Sequence, residues 1–238
     1  MSGLSAPAPA TSTASGTVWR VAYKPDPWAW VPWEYAPFNG RFDDARGQFR
    51  VLYAGTTRLA CFLEVTAQFR PDPVVAAELN VIVGNAEDAP YPVPAIGIVP
   101  ADWRARRTLG EAQIAGVYLE IGAKESLGWL RWRLASRLIH YGLPDIDGAT
   151  IRSTVPRAVT QEMSSVVYAT TITGGLLPAG IRFESRHGND VVLHAIYERP
   201  SAGDAASSRL LTGRSDQDIN PADPELLAAA HIHGLVLE

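Results

Sequence analysis

The sequence predicts an α+β fold, and three observations carry that reading. Residues 180–184 and 191–197 are rich in β-branched and aromatic side chains and flank the turn-forming Arg186–His187–Gly188–Asn189, the pattern of an antiparallel hairpin. Residues 126–141 and 157–171 place apolar side chains at helical spacing. Between them, strands and helices do not alternate in the steady rhythm that a doubly wound parallel sheet requires.

Each element follows in chain order. Residues 1–16 are Ser, Ala, Thr, Pro and Gly in quick alternation and read as a disordered tail, so the folded domain is expected over 17–238. A short strand is expected over 18–23. The loop 25–37 carries Pro25, Pro27, Pro32 and Pro37, which forbid regular structure, while Trp28, Trp30, Trp33 and Tyr35 supply aromatic area that should pack down on the body. Residues 49–54 read as a strand, and Thr56 or Thr57 offers an N-cap for a helix over 59–69. A strand is expected over 74–83, a Pro-rich loop over 85–100 and a short helix over 101–107. Tyr118–Leu119 and 147–152 read as strands. Residues 204–218 are polar and are expected to be mobile, and a last helix spans 224–230 before a strand at 235–237.

Composition narrows the function classes. Hydrophobic residues make up 47% and charged residues 19%, a balance that a wholly disordered chain lacks. The net charge of −4 leaves no global basic surface for a nucleic-acid backbone, although a few arginines around one phosphate remain compatible with it. Cys61 is the single cysteine, so no internal disulfide forms. With no secretory signal and no apolar run long enough to span a membrane, cytoplasm is the expected compartment. His140, His187, His194, His231 and His233 show no metal-ligand spacing, and Gly-x-Gly-x-x-Gly is absent, which argues against a dehydrogenase.

The helix at 57–70 is apolar on almost every side, through Leu59, Ala60, Phe62, Leu63, Val65, Ala67 and Phe69, and should be buried. Its polar stripe runs through Thr57, Cys61, Glu64 and Gln68. A buried carboxylate needs a partner or a role, because an uncompensated charge in an apolar environment costs several kcal/mol. Glu64 therefore either pairs with an arginine or faces a ligand beside the small Ala60 and Ala67. Tyr53, near the end of the preceding strand, can line the same cleft or simply fill core. Arg20, within the strand at 18–23, and Arg41, after the turn Asn39–Gly40, either pair with Glu34, Asp43 or Asp44 or hold an anion between them.

Taken together, these stretches resemble the RES-domain family, bacterial proteins named for recurrent Arg, Glu and Ser residues. The stretches that carry the resemblance are Val18–Trp19–Arg20–Val21, Phe38–Asn39–Gly40–Arg41–Phe42–Asp43 and Phe49–Arg50–Val51–Leu52–Tyr53–Ala54, then Glu64, Val99–Pro100–Ala101–Asp102–Trp103 and Gly180–Ile181–Arg182–Phe183–Glu184–Ser185. The resemblance runs from about residue 17 to the C-terminus. It implies an ADP-ribosyltransferase-like fold, a split antiparallel β-sheet flanked by helices that grips NAD in its cleft. It also implies cleavage of the nicotinamide–ribose bond, with water, phosphate or a protein as acceptor of ADP-ribose.

On that resemblance NAD is a substrate and no cofactor or metal is needed. Arg20 and Arg41 hold the pyrophosphate, Tyr53 stacks on the nicotinamide or its ribose, Glu64 meets that ribose and Ser185 bonds a ribose hydroxyl. The catalytic set is Glu64, Tyr53 and Arg41. Ser153 and the Ser164–Ser165 pair compete with Ser185 for the family serine. The implied partners are a helix-turn-helix (Xre-type) antitoxin and, for some members, a second copy in a homodimer; nucleic acid and membrane are not implied. The tryptophan-rich loop is extra cover near Arg41, a lid or a partner surface. Other readings are a protein mono-ADP-ribosyltransferase, a nucleotide-binding module that does not cleave, and a serine hydrolase pairing Ser185 with His187 or His194, which lacks a Gly-x-Ser-x-Gly elbow.

Overall fold

The structure, a computed structural model, describes residues 6–81, 97–153, 156–199 and 205–238. Its elements in chain order are strand β1 (Thr11–Tyr23), β2 (Val51–Gly55), helix α1 (Arg58–Thr66), α2 (Pro73–Val81), β3 (Ile98–Val99), α3 (Ala101–Ala105) and β4 (Arg107–Glu120). There follow α4 (Lys124–Leu138), α5 (Gly148–Arg152), α6 (Arg157–Tyr168), β5 (Gly180–Ser185), β6 (Gly188–Tyr197), β7 (Leu211–Asp218), α7 (Pro224–His233) and β8 (Val236–Leu237).

One six-stranded sheet organises the domain, in the order β1-β2-β6-β5-β4-β7, and β1 also pairs with β4 along its whole length. Neighbours are antiparallel except β4 and β5. The outer edge of β4 is shared: β7 takes Thr108 to Ile114 and β5 takes Tyr118 to Glu120. That sharing is the split in the sheet. The contact Trp19↔Gly55 between β1 and β2 then closes the pairings into a ring.

Period-two alternation gives the sheet two apolar faces. Val18, Leu52, Ala54, Ala112, Ile114, Tyr118 and Ile196 form one, roofed by Trp28 and Trp30 of the proline-rich loop. Leu119, Ile181, Phe183, Leu193, Ala195 and Tyr197 form the other, against which the helices lay Leu63, Leu130, Met163 and Leu226. The loop therefore does pack down, but in part: Trp33 and Tyr35 stay 45% and 74% exposed.

Four expectations are corrected. β1 begins at Thr11, so residues 11–16, expected in a disordered tail, are a strand paired with residues 114–119 of β4. Small polar residues carry no hydrophobic signal, and the ladder supplies their order. Residues 74–81 are helical rather than extended, because Pro73 suits a first helical position and the Asp72 carboxylate accepts from Val74 N at 2.8 Å. Residues 148–152 are a helical turn, closed by a reciprocal cap in which Asp147 accepts from Thr150 N and Thr150 Oγ1 accepts from Asp147 N. Residues 211–218 are ordered as β7 on the edge of β4, exposed after Leu211 and so without alternation to read. The Pro-rich stretch expected over 85–100 lies for the most part outside the described residues.

Candidate functional site

The site forms where β2, the start of α1 and the end of β5 meet. Thr57 caps α1 by accepting from Ala60 N at 3.0 Å, which fixes the helix entry directly after β2. Seven residues on, Glu64 leaves the buried face of Ala60, Cys61, Phe62 and Leu63 half-buried at its edge. Ser185, the last residue of β5, is buried and donates its Oγ–H to Glu64 Oε1, while its oxygen accepts from His187 N at 2.9 Å. The helix stripe inferred from sequence is thus anchored at two points, since Cys61 Sγ accepts from Val21 N at 3.0 Å.

Arg41 is carried by a tightly held turn. Phe38 adopts a left-handed φ of 45°, a conformation that a bulky side chain keeps only when its surroundings impose it. Gln161 on α6 donates to the Phe38 carbonyl at 2.8 Å, Ser164 donates to the Phe42 carbonyl and Ser165 to Asp44. From the opposite side the Tyr53 hydroxyl accepts from Phe42 N and donates to Asp43, each at 2.8 Å, and Asp43 also accepts from Gly40 N at 2.7 Å. Gly40 is required here, since a Cβ would lie 2.7 Å from both the Tyr53 hydroxyl and Asp43. Burial raises the Asp43 pKa, opposed by these hydrogen bonds and by Arg157 and Arg20, and burial pushes the Tyr53 phenol well above its ordinary value.

The consequence is a buried guanidinium. Arg41 is 8% exposed, lies 5.4 Å above the Phe183 ring, and its Nη1 has no hydrogen-bond partner among the described residues. Burial lowers its pKa; Glu64 opposes that, and Arg157 and Arg186 add to it. The charges of Arg157 and Arg186 thus bear on Arg41, with Glu64 opposing them. Converging guanidinium groups repel unless an anion lies between them, so the cluster is preorganised for one.

Arg41, Tyr53, Glu64 and Ser185 are brought together, around Phe183. Arg20 stands apart: its Nε donates to the Pro27 carbonyl and its Nη1 to the Tyr53 carbonyl, each at 2.8 Å, and it faces the cluster only across Tyr53 and Asp43. The competing serines take other duties in part, since Ser164 and Ser165 hold the Arg41 turn. His194 is buried against Tyr118 at 4.7 Å, on the other face of the sheet, and the Ser185 hydroxyl proton is directed to Glu64. A hydrolase dyad with His194 is excluded by that placement.

Arg157 and Arg186 are absent from the site expected from the sequence, and Asp43, one of three acidic partners considered there for Arg20 and Arg41, instead accepts from Tyr53 and Gly40 N. Arg186 was signalled by its position next to Ser185. Arg157, at the start of α6, has no local signal, because only the packing of α6 against the turn brings it to Arg41. Among the described residues no group of three or more His, Cys, Asp or Glu is placed to hold a metal ion, and no helix is long and apolar enough to cross a membrane.

Two sizeable cavities lie away from these residues. One of about 580 Å³ is lined by Trp33, Phe49, Arg50, Tyr168 and Glu198, and another of about 640 Å³ by Leu176, Leu177 and Leu210. In the first, Arg50 is already paired through Nε and Nη2 with Glu198, and the second is chiefly apolar. Arg41 is a buried guanidinium with an orphaned Nη1 beside Glu64, and the candidate site is drawn there.

Comparison with known proteins identifies the family and the fold. The family model described as RES domain matches residues 17–209. The chain is similar in structure to a chain in the crystal structure of the M. tuberculosis MbcT–MbcA toxin–antitoxin complex, with a TM-score of 0.51 and 12% identity over 94% of this chain and 92% of that one. No curated protein matches the sequence.

Proposed function

Because the chain belongs to the RES-domain family, we propose that it cleaves the nicotinamide–ribose bond of NAD. The observation that carries this reading is the buried Arg41 guanidinium, with an orphaned Nη1, beside a carboxylate held by a serine. A diphosphate offers forked acceptors to Arg41, with Arg157 and Arg186 adding charge. Breaking the bond to a cationic nicotinamide develops oxocarbenium character on the ribose, which Glu64 stabilises. On this reading Ser185 orients Glu64 and bonds a ribose hydroxyl. Tyr53 holds the Arg41 turn with its hydroxyl, and its ring stands edge-on to Phe183 at 6.4 Å. Arg20 supports the site from behind through the Tyr53 carbonyl.

Purified protein incubated with NAD, with and without phosphate, should release nicotinamide. Glu64→Gln should abolish release while keeping the circular dichroism and melting of the parent, because shape is kept and the charge is lost. Absence of nicotinamide release from the parent under every condition would sink this reading. Label transferred from NAD to protein would identify a protein acceptor instead. The likeness to a chain from a toxin–antitoxin complex supports, for this chain, a toxin role and an antitoxin partner. The exposed Trp33 and Tyr35, close in sequence to the Arg41 turn, are the aromatic surface such a partner would meet.

A further inference from the structure

Resting on the NAD-cleavage reading, we propose that His187 is the general base that takes the proton of an attacking water at this site. Glu64 is engaged by Ser185 and faces the developing charge, which leaves the water in need of another proton acceptor. A positioned base contributes roughly hundredfold or more to such a step.

His187 lies in the turn between β5 and β6, and its backbone N–H donates to Ser185 Oγ at 2.9 Å, one side chain away from Glu64. Its half-buried ring packs edge-on against His233, with centroids 5.2 Å apart and planes at 71°. His233 is anchored in turn, its Nε2 lying 2.9 Å from the carbonyl of Leu63, the residue before Glu64. The ring is thus braced against the end of α7, which His233 ties to the helix that carries the carboxylate. Nε2 of His187 lies 3.4 Å from Arg186 Nε, a long contact from an exposed side chain.

The charged and titratable groups facing the ring are Glu64, Arg186, His233 and Arg70. Burial lowers the pKa of the ring, Arg186, His233 and Arg70 act in the same direction, and Glu64 opposes them. The imidazole is therefore neutral, and able to accept a proton, at neutral pH. In the step itself the water oxygen bonds to the ribose carbon as the carbon–nitrogen bond breaks. The bond's electron pair returns to the pyridinium ring, which leaves as neutral nicotinamide. The water proton passes to the neutral imidazole, and the imidazolium, balanced by Glu64, later releases it to solvent.

The test follows nicotinamide release from NAD in phosphate-free buffer between about pH 5 and about pH 9, a window that spans imidazole titration. Parent protein should show a rate that rises through that titration. His187→Gln and His187→Ala should lose roughly a hundredfold in kcat with KM little changed, and should lose the pH dependence. Added imidazole should restore part of the rate of His187→Ala, and the parent should turn over more slowly in deuterium oxide, a readout that needs no variant. Full activity of His187→Gln with the pH dependence intact, no solvent isotope effect, or release by the parent only when phosphate is present would each overturn the His187 assignment while leaving NAD cleavage standing. A parent that never releases nicotinamide fails at the underlying reading instead.

Discussion

The Tyr53 hydroxyl accepts from Phe42 N and donates to Asp43, so removing it leaves a part-buried amide and a carboxylate each short of a partner. Tyr53→Phe should therefore destabilise the protein by about 1–3 kcal/mol, read as a lowered melting temperature. Because the lost bonds hold the turn that carries Arg41, the same variant should also raise KM for NAD. Arg41 itself tests the anion site. Lysine keeps the charge but replaces the guanidinium fork with a point charge, so Arg41→Lys should weaken NAD binding about tenfold by calorimetry, with melting nearly unchanged. Wild-type affinity in that variant would mean that the orphaned Nη1 meets no anion.

At the scale of the element, α1 is the part on which the site depends. It buries Ala60, Cys61, Phe62, Leu63 and Thr66, packs against β1 and α7, and delivers Glu64 at its edge. Its start is set by the Thr57 side chain, and Thr57→Ala should cost about 1 kcal/mol in urea unfolding, with a lowered midpoint and an unchanged slope. An effect near zero would show that packing alone fixes the helix entry. The turn from β5 to β6 matters for a different reason. It places Ser185 on Glu64 and then, within two residues, brings the charge of Arg186 to bear on Arg41 and puts His187 under the influence of the same carboxylate.

At the scale of the whole molecule, acid sensitivity comes from a group outside the site. His194 is 4% exposed, neither ring nitrogen has a partner among the described residues, and burial pulls its pKa from 6.5 to about 4. Between those values the unfolded chain binds a proton that the folded one does not. The contribution is complete above about pH 6.5 and falls away as the pH drops toward about 4, a loss of about 3 kcal/mol. Unfolding free energies measured across that window should decline accordingly, and His194→Leu should flatten the decline. An equal slope in the variant would assign the acid sensitivity to other groups.

Several parts of this protein are written in short stretches of its chain. The capped helix after a strand, the polar stripe with Glu64 on an otherwise apolar helix, the hairpin of β5 and β6 and the motifs around Arg20 and Arg41 depend on neighbours a few residues apart. These patterns are legible because local spacing alone sets which side chains share a face. The same locality hid α2 and α5, whose caps are single side-chain bonds, and the polar strands β7 and the start of β1, which are ordered only by the ladder to β4. Tertiary structure alone decided that Tyr53 holds the Arg41 turn from one side while α6 holds it from the other, and that Arg157 arrives beside Arg41. The α+β class and the carboxylate helix were thus determined by the sequence itself. The arginine cluster was not, because a charge acquires its partners through space, and the separation along the chain carries no record of them.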